Sequence, residues 1–249
     1  MRPVEKWKVG HSTPSRVTIR SDYSPHTKAN LLIQENIDHF CSYCEVFSSD
    51  LEVEHIISQH KKPILRTSWD NFLLACGRCN GKDNKSNKHV DLSKVFFPHL
   101  NNTLSIFEYK QGGYVGVNPK LTPDQKAKAE AMLDLVCIDK YPGNPKYPKT
   151  IQFPAFGFNI NDKRWEFRRT AWEDAQMRLK KYLNQELSAD DIAEFAHQRG
   201  FFSVWYSVFV NHTDVKKALI LRFRGTAQNC FDSNFDPIPR NPNNPTDPI

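Results

Sequence analysis

The stretch that decides how this chain is read runs from Cys41 to His60, CSYCEVFSSDLEVEHIISQH, and is answered from Trp69 to Lys85 by WDNFLLACGRCNGKDNK. Each half carries a Cys-x-x-Cys pair, Cys41/Cys44 and Cys76/Cys79. A two-residue gap lets two thiolates turn toward one tetrahedral ion, and the second pair completes a four-cysteine shell. Four protein thiolates leave no position for a reacting water, so the spacing predicts a structural zinc. A redox Cys-x-x-Cys needs only one pair, whereas here two pairs bracket one module. The remaining cysteines, Cys137 and Cys230, lie in apolar settings and read as reduced core thiols.

A four-cysteine zinc is a scaffold and defines no activity, so the residues between the pairs carry the decision. LEVEHIIS has the apolar, β-branched content of a strand, with Glu54 and His55 near its middle. A lone histidine in a strand is more often a satisfied core residue than a catalyst. Here a carboxylate precedes it, Asn71 lies just ahead of the second cysteine pair, and Asn80 follows Cys79. These are the parts of a one-metal phosphodiesterase. Oxygen ligands bind a divalent ion that stabilises the scissile phosphate and the leaving oxygen, and a neutral imidazole deprotonates water. Adjacent strand residues point to opposite faces, so Glu54 and His55 serve one site only if the strand twists or ends there.

Taken in order, Cys-x-x-Cys, Glu-His-Ile-Ile, Asn, and Cys-x-x-Cys-Asn with trailing lysines resemble an HNH (ββα-metal) endonuclease over roughly residues 41–88. The resemblance implies His55 as general base and Asn71 as the asparagine bracing the loop that bears it. Glu54 and Asn80 become ligands of a catalytic divalent ion, with Cys41, Cys44, Cys76 and Cys79 on the structural zinc. Arg78, Lys82, Lys85 and Lys88 then fall where nucleic acid would lie. Three positions depart from the usual pattern: Glu54 stands for the commoner Asp, Asn80 for the commoner His, and Gln59 where a proline often follows. An amide oxygen at the last position favours Mg2+ or Mn2+ over zinc at the active site. More narrowly, the segment with DKYPGNP and FSVW downstream resembles PtuB-type nuclease subunits of Septu-type, retron-associated anti-phage defence systems. This finer likeness implies an ATPase partner of the ATP-binding-cassette (PtuA-like) type, in some systems with a retron reverse transcriptase. The competing reading is a non-catalytic zinc-ribbon protein that binds nucleic acid or serves as a structural subunit.

The rest of the chain is consistent with such a protein. Its 249 residues carry 17 Phe, 8 Tyr and 5 Trp, enough for a substantial core. A net charge of +6 is a mild basic bias, compatible with a polyanion and diagnostic of none. Basic groups are spread out, among them Lys163, Arg164, Arg168 and Arg169. No stretch reaches a membrane span of about 18 apolar residues, and the first residues show no apolar signal region, so a cytoplasmic location is expected.

The expected fold is α+β, divided as an irregular basic arm (1–30), the nuclease module with its zinc (31–95), a hairpin plus helical partner-docking region (96–233) and a Pro-rich disordered tail (234–249). A helix is predicted over Lys28–Phe40, with Leu31, Leu32, Glu35, Ile37 and His39 facing the core. A hairpin is predicted around Gly112-Gly113. Thr122, Pro123 and Gln125 spell a capping box at a helix start. A helix follows over Arg169–Leu187, and another runs from its cap at Ser188 to Gly200. FFSVWYSVFV is left open between strand and helix, and HTDVKKALILRF reads as helical. Trp172 and Trp205 are the candidate anchors for a docked partner.

Overall fold

Two antiparallel strands, β1 (Glu52–His55) and β2 (Phe72–Ala75), carry the segment between the cysteine pairs, and one helical turn, α2 (Gly77–Asn80), follows directly. The register sets Glu52 against Ala75 and His55 against Phe72. All of β2 is buried, which is why it reads as an unbroken apolar run. The computed structural model describes residues 1–81, 85, 91–147, 162–240 and 249.

Ahead of the first cysteine pair, helix α1 spans Asn30–Ile37, shorter than expected, because Asp38 takes a positive φ of 73° and turns the chain out. Its buried face is also rotated from the expected one. Ile33 and Ile37 face the core with Gln34 and Asn36, and Leu31 is 77 % exposed. The amide of Asn36 explains the rotation, since its Oδ1 accepts from Trp7 N (2.7 Å) and its Nδ2 donates to Glu5 O (3.2 Å). Burying a paired amide is tolerated where an unpaired one is not. The first thirty residues are irregular in backbone yet held down. Arg2 donates to Ile37 O, Phe223 O, Arg224 O and Thr226 Oγ1, and Val4 bridges Thr226.

Beyond the second cysteine pair a hairpin forms from β3 (Phe107–Lys110) and β4 (Tyr114–Val117). Gly113 at its turn has φ +77°, and a Cβ there would lie 2.6 Å from Arg169 N. Glycine is therefore required both for the turn and for the approach of the next helix. Helix α3 (Pro123–Val136) starts at the predicted capping box, with Thr122 and Gln125 bonded reciprocally. Helix α4 spans Arg164–Leu183 and begins five residues before the predicted start. That earlier start carries Arg164 and Arg168 into the interior, so neither is the surface charge their sequence cluster indicated. Arg168 donates to Gly113 O (2.7 Å) and Ile138 O (2.8 Å), answering carbonyls that turns leave unpaired.

Helices α5 (Ala189–Arg199), α6 (Phe202–Val208) and α7 (Thr213–Arg222) complete the helical C-terminal region. Ser188 and Asp191 form the cap of α5, and Gly200 ends it. The aromatic run is thus helical. Phe202, Trp205, Phe209 and Phe223 form a second apolar core with Phe40. Burial of each large side chain stabilises by roughly 1.5–3 kcal/mol. Trp205 is fully buried there and offers no anchor to a partner, and Trp172 packs half-buried against the first core. Cys137 and Cys230 form no disulfide and are buried, as expected of reduced core thiols. Phe231 bridges Pro237, and Asn102 Nδ2 donates to Ile238 O (2.8 Å), so the described part of the Pro-rich tail is packed. Residues 241–248 of that tail lie outside the described residues.

Candidate active site and cysteine centre

The sulfurs of Cys41, Cys44, Cys76 and Cys79 lie within 4.8 Å of one another. Two tight turns bring them there. In the first, Cys41 N donates to Val46 O and Glu45 N to Cys41 O, with Glu45 at a positive φ. In the second, Cys79 N and Asn80 N both donate to Cys76 O at the start of α2. The thiols burden one another in this space. Hydrogen bonds among the sulfurs, and then burial, push Cys44 well up. Burial pushes Cys79 up, and the neighbouring thiols hold Cys76 down as their hydrogen-bond acceptor. Such a set is stable with a cation at its centre, and four thiolates in tetrahedral reach suit zinc. From α4, Arg164 Nη1 reaches Cys79 Sγ at 3.2 Å.

A cleft of about 600 Å³ opens beside β1, lined by His26, Glu52, His55, His60 and Asn80 among others. His55 is the last residue of β1, half-buried. Its Nε2 lies 2.9 Å from Arg66 O. A carbonyl only accepts, so Nε2 holds the proton and Nδ1 keeps its lone pair. The ring packs edge-on against Phe72 (5.3 Å between centroids) and His26 (4.8 Å). Burial holds the His55 pKa below its ordinary value. The Arg66 carbonyl opposes this, and the Lys85 and Arg66 charges add to it. At neutral pH the imidazole is therefore a free base.

Asn71 lies beneath the loop that follows β1. Its Oδ1 accepts from Ile57 N (2.7 Å), and its Nδ2 donates to Ile57 O (2.9 Å) and Leu65 O (3.1 Å). Three bonds from one buried amide tie both ends of residues 57–65 to the start of β2. The same loop runs on to Arg66, whose carbonyl orients His55.

Glu54 goes elsewhere. It is 0 % exposed, lies beside the Tyr43 hydroxyl and pairs with the Lys85 ammonium. Burial raises its pKa, with Lys85 opposing. His55, at the end of β1, lines the cleft, while Glu54 is buried. Lys85 also donates to His55 O (2.6 Å) and Ile56 O (2.9 Å). All three of its donors are used inside the protein, and the side chain also lines the cleft. Asn80 does line the cleft, and its Nδ2 donates to Glu52 Oε2 at 2.7 Å. Arg78 is half-buried in α2, and Lys82 and Lys88 lie outside the described residues.

Residues 41–86 match the family model for HNH endonucleases. The HNH segment holds both cysteine pairs, β1, β2 and α2, and with them His55, Asn71 and Asn80. It carries nuclease character and implies nucleic acid as the thing bound. The helices α3 to α7 lie beyond it. No curated protein matches the chain. Among the described residues no helix is long and apolar enough to cross a membrane.

Three residues of the site escaped sequence reasoning. His26 precedes the HNH segment in an irregular stretch, and no periodicity or spacing marked it. Glu52 is a second acid two residues before Glu54, and the motif includes only the acid beside the histidine. Arg164 read as one of a surface basic cluster.

Proposed function

We propose that the chain is a metal-dependent HNH endonuclease that hydrolyses phosphodiester bonds, with DNA as the first substrate to test. The observation that carries this reading is His55: a neutral imidazole at the edge of an open cleft, with Nε2 committed to Arg66 O and Nδ1 free. In the reaction, Nδ1 takes a proton from water as the water oxygen bonds to phosphorus. The bond from phosphorus to the leaving sugar oxygen breaks, and that oxygen gains a proton from solvent. Asn71 keeps the carbonyl of Arg66 in place by bracing the loop, and so keeps His55 in the required tautomer and orientation. A bound divalent ion would neutralise charge on the phosphate and on the departing oxygen. Asn80, at the cleft, is suited to hold it through its amide oxygen. The four-cysteine centre holds a structural zinc and takes no part in the chemistry.

The finer likeness to PtuB-type subunits supports a role as effector of an anti-phage complex with an ATP-binding-cassette ATPase. The length of helical chain outside the HNH segment supports the same reading, since α3 to α7 add no second catalytic cleft among the described residues. The test is nicking of plasmid DNA by purified protein with Mg2+ or Mn2+, with and without the co-expressed ATPase, set against the His55→Ala variant. Cleavage that needs His55 and a divalent ion supports the enzyme. Nucleic-acid binding without cleavage in both preparations leaves the zinc-ribbon reading.

A further inference from the structure

His26 enters the cleft from outside the HNH segment, on a short helical turn (His26–Ala29) that leads into α1. The arm that carries it is pinned on both sides of that turn. Ahead of it, Trp69 N donates to Ser21 O (2.8 Å), Tyr23 N to Thr67 O (2.8 Å) and Thr67 Oγ1 to Asp22 Oδ1 (3.1 Å). Behind it, Asn30 Nδ2 donates to Leu51 O (2.8 Å), at the entry to β1. These anchors grip the chain next to Arg66, whose carbonyl orients His55, and the strand that ends in His55. Between them the His26 ring stands edge-on to the His55 ring, with 4.8 Å between centroids.

The two imidazoles are held differently. His55 commits Nε2 to a carbonyl, whereas among the described residues no protein group hydrogen-bonds either ring nitrogen of His26. Burial lowers the His26 pKa, and the His55 and Arg66 charges add to this. At neutral pH the ring is therefore uncharged, with one N–H to donate. Packing alone would be served by a phenyl ring. A water held by His55 Nδ1 stands about 3 Å from it, and the phosphorus under attack lies about 3 Å further on. The oxygens of a phosphate so placed come within reach of a ring centred 4.8 Å from the centre of His55.

We propose that His26 is a catalytic residue supplied by the N-terminal arm: its N–H donates to a non-bridging oxygen of the scissile phosphate. Negative charge on those oxygens must be held through the displacement, and a donor fixed in place beforehand stabilises it without reorganising. The proton stays on His26 throughout. His55 still takes the proton from water, and the leaving oxygen still takes one from solvent. This role rests on the nuclease reading and adds a contact that the HNH segment itself does not contain.

The experiment is plasmid nicking by the zinc-loaded full chain in Mg2+, comparing the wild type with His26→Phe, His26→Gln and His26→Ala. Phenylalanine keeps a ring against His55 and removes the donor, while glutamine gives up the ring and keeps an N–H. With zinc content and melting temperature at wild-type values, kcat should fall by about 10²–10³ in His26→Phe, with KM little changed. His26→Gln should recover part of the loss, and raising Mg2+ should recover none of it in His26→Phe. Full activity in His26→Phe reduces the residue to packing and overturns the proposal. Recovery at high Mg2+ also overturns it, because His26 would then serve the cation. Should His26→Phe fail to fold, the other two variants decide: kcat must be higher in His26→Gln than in His26→Ala, and equal rates overturn the proposal. The two readings fail separately. No metal-dependent cleavage by the wild-type chain rejects the nuclease and this contact with it. Cleavage that needs His55 and is untouched by His26→Phe rejects the contact alone.

Discussion

Arg164 Nη1 stands 3.2 Å from Cys79 Sγ, across 85 residues of sequence. The same guanidinium donates to Val136 O (2.8 Å), Cys137 O (3.0 Å) and both carboxylate oxygens of Asp162 (2.8 and 2.7 Å). Each nitrogen of the planar fork therefore has a partner, a geometry that lysine cannot reproduce. The first turn of α4 and the end of α3 are tied through it to the cysteine centre, so the helical region and the HNH segment share one buried charge network.

Arg164→Gln should loosen that tie. The thiolate of Cys79 loses its cation and Asp162 its partner, and losing an outer partner of a metal site typically costs about 10–100-fold in metal affinity. Zinc should transfer faster to a chromogenic chelator, and Arg164→Lys should not restore the wild-type rate. Identical release from all three proteins would show that the contact contributes nothing to metal retention.

Cys76→Ser should release the zinc and unfold at least the HNH segment, because metal binding and folding are linked in a module with so small a core of its own. Elemental analysis should find about one zinc per folded wild-type chain and none in the variant. A folded wild-type protein free of zinc would contradict the assignment.

His55→Ala should lower cleavage by about 10²–10⁴, with zinc content unchanged. The pH dependence follows from the direction of the shift. The folded pKa lies below the ordinary 6.5, so the base stays deprotonated through 6.5 and kcat/KM should fall only below it. The stability linked to this residue has the same sign. It is present above 6.5 and is lost as pH falls toward the folded value, because the unfolded chain binds the proton first. An acid limb centred above 6.5 would rule His55 out as the group observed.

Asn71→Asp puts an acceptor where Nδ2 now donates to Ile57 O and Leu65 O. Two buried carbonyls would then face a carboxylate, at a cost of about 1–3 kcal/mol for each polar group left unsatisfied. The loop over residues 57–65 should become the first site of limited proteolysis, and kcat should fall more than zinc content does. Unchanged proteolysis of that loop would remove the bracing role.

How much of this was written in the chain depends on the range of the interactions involved. The cysteine spacing, the capping box at Thr122, the cap at Ser188, the stop at Gly200 and the turn at Gly112-Gly113 are local: a few neighbouring residues carry the whole cause, and the structure has each at its expected place. Strand alternation also warned that Glu54 and His55 would part company. What the sequence left open was always a matter of distant partners. Within the aromatic run at 201–210, Phe202–Val208 is helical and packs against α4 and Phe223, partners that lie outside the run. The buried face of α1 turned with the docking of Trp7 on Asn36, a pairing 29 residues apart. Arg164, Arg168 and Lys85 read as surface charge, since a basic side chain is buried only when acceptors converge on it, and those acceptors come from remote turns. His26 reached the cleft for the same reason. A sequence states which groups are available, and long-range packing decides which of them lose their water and which keep it.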